Sequence, residues 1–178
     1  MAGVGKTSLL QLIHNDCKKK VSSNFDFVIW HTVSQNFNIQ SLQDTIAESV
    51  SLDLKGISSI DTRKMKLYAF LENKRFLLIL DDVWIPIADL EQQVGVNFGH
   101  DNSSRVLISS RYKDVVETMA ATEYCMMIKP LSTEEGWELF RRKAFLGAAP
   151  DNNVEAIARH IAVRFKHSCC GTGSEKER

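Results

Sequence analysis

The sequence predicts an α/β fold in which a parallel sheet is flanked by helices. Three observations carry that prediction. Gly3-Val4-Gly5-Lys6-Thr7-Ser8 is the closing half of the pattern G-x-x-x-x-G-K-[ST], a glycine-rich turn that opens a helix. Phe76-Leu77-Leu78-Ile79-Leu80 is an unbroken apolar run, as expected of a strand buried on both faces of a parallel sheet, and it ends in two carboxylates, Asp81 and Asp82. Around these, strand-like segments alternate with segments of helical period, which is the order of βαβ units.

The first motif is a phosphate-binding loop. Its glycines let backbone N–H groups turn inward around phosphate oxygens with no Cβ in the way. Lys6 brings a positive charge to the outer phosphates, the Thr7 hydroxyl suits Mg²⁺, and Ser8 can donate to an inner phosphate. The helix that follows points its positive end at the same anion. The pattern's first glycine would precede Met1, so the chain is expected to begin inside its own motif, with the strand that feeds the loop missing. Carboxylates at the end of the Phe76–Leu80 run lie where open α/β sheets place their ligands.

The elements follow in order. Leu9, Leu10, Leu12 and Ile13 share one side of a helix from the loop to about Lys18, and Lys18-Lys19-Lys20 suit its negative end. Ser22-Ser23-Asn24 is a turn. Phe25 to Val33 is aromatic and β-branched, hence a strand. Leu42, Ile46 and Val50 mark a helix over about Ile39 to Ser51. Gly56 to Ile60 is loop. Asp61 is the expected N-cap of a helix whose apolar positions are Met65, Leu67, Tyr68, Phe70 and Leu71. Trp84 to Gly99 reads as irregular, with Pro86 and two glycines. Arg105 to Ser109 is a strand ending in Ser110-Arg111, a helix runs to about Met119, and Tyr124 to Ile128 is the next expected strand. Ser132 and Glu135 form a capping box for a helix with Trp137, Leu139, Phe140, Ala144 and Phe145 on its buried side. A last helix is expected from about Asn153 to Phe165. From Lys166 the composition has no apolar period and reads as disordered.

Composition narrows the function classes. The chain has 178 residues, 44% hydrophobic and 25% charged, an ordinary globular balance. Lys+Arg and Asp+Glu stand at 22 each, so no overall field favours nucleic acid. No apolar run is long enough to span a bilayer. Cys17, Cys125, Cys169 and Cys170 have no metal-ligand or disulfide spacing, which favours free thiols in a reducing cytosol.

Five segments in order carry a more specific signal. They are G-V-G-K-T-S, F-D-F-V-I-W-H-T-V-S-Q, K-R-F-L-L-I-L-D-D-V-W, S-R-V-L-I-S-S-R and P-L-S-T-E-E-G-W-E-L-F-R-R-K-A-F. Together they resemble the nucleotide-binding (NB-ARC) domain of plant disease-resistance proteins over about residues 1–165. Trp84 after Asp-Asp-Val resembles the subclass with an N-terminal coiled coil. The resemblance implies a P-loop NTPase domain over 1–129, lacking its first strand, then a helical linker and the start of an ARC-type helical subdomain over 130–165, with an aberrant tail over 166–178. It implies that Gly3, Val4, Gly5, Lys6, Thr7 and Ser8 hold the phosphates of ADP or ATP, and that Thr7 and Asp81 hold Mg²⁺. Asp82 then orients or deprotonates the attacking water, and Arg111 is the sensor of the terminal phosphate. Trp84 and Trp137 are expected to be packing residues.

The implied function is an ADP/ATP switch with slow hydrolysis inside a cytoplasmic immune receptor. Its partners would be the nucleotide, the receptor's coiled-coil and leucine-rich-repeat regions, and further copies on activation. Two departures stand out. Ala2 replaces a usual glycine, and the family's later G-L-P-L-A motif has no counterpart in H-S-C-C-G-T-G-S. A P-loop kinase or metabolic ATPase, and an inactive gene remnant, are the other readings open at this point.

Overall fold

The computed structural model describes residues 3–19, 25–98, 103–145, 151 and 154–160. Ala2, Lys20, the Ser22–Asn24 turn, Gly99, the end of the last expected helix, and the tail with Cys169 and Cys170 lie outside them. The chain divides into two compact units, Lys6–Met126 and a second made of Met127 onward with the residues before Lys6.

The larger unit is a three-stranded parallel sheet in the order β1–β2–β3, with β1 at Phe27–Thr32, β2 at Phe76–Val83 and β3 at Arg105–Ser110. Around it lie α1 (Lys6–Lys19), α2 (Ile39–Ser49), α3 (Ile60–Leu71), α4 (Leu90–Val94) and α5 (Lys113–Met119). The apolar run of β2 is central, and its alternation splits the core in two. Leu77 and Ile79 pack with Leu10, Ile13 and Cys17 of α1. Phe76, Leu78 and Leu80 face the opposite way, into a larger cluster with Leu42, Ile46, Leu67 and Leu71. A strand covered on both faces must be apolar throughout, which is why β2 shows no polar alternation until Asp81.

Helix ends follow local chemistry. Asn38 caps α2, its side chain accepting from the Gln40 N–H at 2.8 Å. The expected cap of α3 moves by two residues: Ser59 accepts from the Thr62 N–H, and Asp61 sits in the first turn. The segment after Trp84 is less irregular than its sequence suggests. Asp89 caps α4 by accepting from the Gln92 N–H, and Gly95 ends it in the left-handed conformation. A Cβ at Gly95 would lie 2.3 Å from the Lys64 carbonyl oxygen, so only glycine lets α4 close on α3.

Several apolar residues expected inside are outside. Met65 is 69% exposed and Tyr68 41%, while the buried stripe of α3 is Arg63, Leu67 and Leu71. Leu12 is likewise 68% exposed, because α1 meets the sheet along Leu10, Ile13 and Cys17. Tyr124–Ile128 is not a strand. A 3-10 turn occupies Thr122–Tyr124, taking the Cys125 N–H onto the Thr122 carbonyl, and no strand follows among the described residues. Strands exist by pairing, and among the described residues nothing pairs with this segment.

In the second unit, α6 (Thr133–Ala144) carries the expected capping box: Ser132 Oγ accepts from the Glu135 N–H, and Glu135 accepts from the Ser132 N–H. Trp137 is its buried residue and stacks on Phe140. Leu139 and Ala144 are exposed, which corrects their expected burial. Residues 154–160 are helical, and Arg159 lies over the Trp137 ring.

Candidate functional site

The residues before α1 turn through two glycines in the left-handed region. Gly3 and Gly5 both sit at positive φ, 72° and 94°. At Gly5 an added Cβ would meet nothing, so conformation and not space requires the glycine there. Lys6, Thr7 and Ser8 form the first turn of α1, where N–H groups are left over from the helix ladder.

Asp81 continues the β2 alternation that places Leu77 and Ile79 against α1. It therefore faces the first turn of that helix, where the Thr7 hydroxyl lies 3.3 Å from its Oδ1. Its carboxylate is 3% exposed. Ser109, on the neighbouring strand, donates to the same oxygen at 2.6 Å. A hydroxyl beside a carboxylate is a hard-oxygen pair, and Mg²⁺ takes few protein ligands when phosphates supply others. The donor set at Thr7 and Asp81 thus fits that ion. Among the described residues, no group of three or more His, Cys, Asp or Glu side chains stands ready for a metal that needs an all-protein cage.

The backbone breaks step at the next residue. The β2–β3 register shifts between Leu80 and Val83, and Asp82 adopts a positive φ of 56°. Such a conformation costs about 1–2 kcal/mol for a residue with a Cβ, least for Asp and Asn. Ser109 helps hold it, because its Oγ accepts from the Asp82 N–H at 3.0 Å. Bulges of this kind re-aim side chains near functional sites. Here the Asp82 carboxylate meets Arg111 in a two-pronged pair, Nε to Oδ1 at 3.0 Å and a terminal nitrogen to Oδ2 at 3.2 Å. The Trp84 indole N–H also donates to Oδ2, at 3.2 Å. Arg111 keeps 41% of its side-chain exposure, and ion pairs that open to water contribute about 0–1 kcal/mol. The pair is therefore cheap to rearrange.

Asp81 thus meets Thr7 at the start of α1, and Asp82 pairs with Arg111 at the C-terminal ends of β2 and β3. Sequence reasoning missed two neighbours, Ser109 and Trp84. Ser109 ends the strand beside Asp81 and Trp84 lies two residues beyond Asp82, but the bonds that give them roles form only in the folded sheet.

Residues 1–149 match the model of the NB-ARC domain. The chain belongs to the NB-ARC family. This NB-ARC chain is similar to disease resistance proteins of Arabidopsis thaliana. A probable disease resistance protein is 34% identical over 172 residues, covering 93% of the chain and 19% of the relative. A second is 38% identical over 170 residues, covering 93% and 22%. A third relative, shorter, is 32% identical, with 91% and 44% covered. The chain thus spans less than half the length of these relatives. Among solved structures it is similar to the ORC2 protein of Aeropyrum pernix, described in ADPNP and ADP complexes, with a TM-score of 0.58, 16% identity, and 94% of this chain and 53% of that one covered. At that identity the likeness concerns fold, the α/β architecture of P-loop NTPases. No helix among the described residues is long and apolar enough to cross a membrane.

Proposed function

We propose that this NB-ARC chain binds ADP and ATP with Mg²⁺ and serves as the nucleotide-operated switch of a cytoplasmic plant immune receptor, with slow ATP hydrolysis resetting it. The observation that carries the reading is the meeting of Thr7 with Asp81 at the mouth of the sheet, next to the Asp82–Arg111 pair. In this reading Gly3, Val4, Gly5 and Ser8 wrap the phosphates with N–H and O–H donors, and Lys6 neutralises their outer charge. Thr7 and Asp81 would hold Mg²⁺, which when bound would neutralise phosphate charge. Asp82 orients or deprotonates the attacking water, and Arg111 offers its planar cation to the terminal phosphate.

A switch needs differential affinity, since a ligand shifts an equilibrium only by what it distinguishes between the two states. ATP differs from ADP by one phosphate, so Arg111 is the group placed to report it. Coiled-coil and leucine-rich-repeat regions of a longer receptor, and other copies of it, are the partners that would read the state.

The test is titration of labelled ADP and ATP into the chain and its Asp81→Asn variant, with Mg²⁺ and with chelator. The variant should lose about tenfold in Mg²⁺-dependent affinity, about 1.4 kcal/mol, and keep its metal-free affinity. Identical Mg²⁺ dependence in both proteins would contradict the assignment.

A further inference from the structure

We propose that Trp84 is a positioning residue of this site, holding Asp82 and Arg111 at once and thereby setting both ATP hydrolysis and the preference for ATP over ADP. The inference rests on the switch reading above and assigns its control to a residue outside the phosphate loop and the carboxylate pair.

Trp84 uses two different parts of its ring. Its edge donates Nε1–H to Asp82 Oδ2 at 3.2 Å. Its face carries the Arg111 guanidinium, whose central carbon lies 4.9 Å from the ring centroid. Tyr112 packs against the same indole at 5.9 Å between centroids, backing the ring from the start of α5. A Trp serving only to fill space would direct its N–H to a backbone carbonyl or water. This one directs it to the carboxylate that leaves the β2 ladder.

Both clients need such a holder. Asp82 sits where the strand register breaks, in the left-handed region, so the sheet does not fix its side chain. Three donors do: two from Arg111 and one from Trp84. Arg111 is half-exposed at the end of β3, on a long flexible stem. The indole face narrows the directions that its guanidinium can take. If Arg111 turns toward a terminal phosphate, Asp82 loses two of its donors, and the indole N–H keeps the carboxylate aimed at water.

The edge and the face can be separated by substitution. Trp84→Phe keeps a face and removes the donor. Trp84→Leu removes both. The experiment measures ADP and ATP affinities with Mg²⁺, and single-turnover ATP hydrolysis, for the chain, both variants and Arg111→Ala. Trp84→Phe should leave the ATP-to-ADP affinity ratio at its original value and slow hydrolysis about tenfold, as for loss of a hydrogen bond to a charged group. Trp84→Leu should slow hydrolysis and also lower the ratio about two- to fivefold. ADP affinity should hold in both, which shows that the fold is intact.

Unchanged rate and ratio in both variants would overturn the proposal, as would equal losses for ADP and ATP. So would a rise in ATP affinity in Trp84→Leu, because the indole would then restrain Arg111 and not present it. If Arg111→Ala leaves the ratio unchanged, or the chain binds neither nucleotide, the switch reading fails and takes this inference with it. If Arg111→Ala lowers the ratio and the Trp84 variants do not, only the role of Trp84 fails.

Discussion

The Ser109 hydroxyl donates a 2.6 Å hydrogen bond to Asp81 Oδ1 and accepts another, at 3.0 Å, from the backbone N–H of Asp82. One buried side chain thus fixes the direction of the first carboxylate and the backbone of the second. Ser109→Ala should remove both bonds at once. The Asp82 N–H is left without its partner, at about 1–3 kcal/mol for an unsatisfied group, while Asp81 Oδ1 keeps the Thr7 hydroxyl. Thermal melting should show a destabilisation in that range, and Mg²⁺-dependent nucleotide affinity should fall with it. A melting temperature and affinity equal to those of the unsubstituted chain would mean that Ser109 organises nothing.

Arg63 is expected to matter for stability alone. It is 3% exposed, pairs with Asp44, and donates to Gln43 Oε1, the Leu54 carbonyl and the Ile57 carbonyl. Gln43 in turn donates to the carbonyls of Ile60 and Val94. The network ties α2, α3, α4 and the loop between α2 and α3. Arg63→Met keeps much of the volume but leaves two carbonyls and Gln43 short of donors. A loss of at least about 2 kcal/mol should appear in denaturant unfolding. A variant within experimental error of the original would show that water replaces the guanidinium at no cost.

His31 gives the fold a pH dependence. It is buried on the α2 side of the sheet, and its Nδ1 lies 2.9 Å from Thr45 Oγ1. Thr45 spends its own proton on the Ser41 carbonyl, so Nδ1 is the donor in that contact. Burial holds the pKa of His31 below its ordinary value of 6.5. The unfolded chain therefore takes up this proton first as pH falls. The stability contributed by neutral His31 is complete above about pH 6.5 and is lost as pH drops through that value toward the lower folded pKa. Melting temperatures measured from pH 8 to pH 5 should fall more steeply for the chain than for His31→Gln. Parallel curves would contradict this.

Much of the frame could be read from sequence because a single physical requirement fixed each part. The Phe76–Leu80 run had to be buried on both faces, and Ser132 with Glu135 had to cap a helix. Other features depended on partners far away in the chain. Met65 and Tyr68 fit a helical period as well as Leu67 does, but the face that α3 turns inward is chosen by Gln43, Leu54 and Ile57, and it takes Arg63 in their place. Tyr124–Ile128 has strand-like residues without a paired neighbour. The five-residue α4 is too short for a periodicity to show, and only the Asp89–Gln92 cap and Gly95 mark it. At the site, a glycine turn opening a helix and two carboxylates ending a buried strand were legible because each pattern is local. Ser109 and Trp84 were not, because their roles arise only once β3 lies beside β2 and the strand breaks at Asp82.

The central claim is that the turn before α1 is a nucleotide-phosphate site. Titration of labelled ADP and ATP into the chain and its Lys6→Ala variant tests it most directly. Loss of the cation at the outer phosphates should weaken binding of both nucleotides by about tenfold or more, at about 1.4 kcal/mol per tenfold. Equal affinities in the two proteins, at matched Mg²⁺ and salt, would contradict the account.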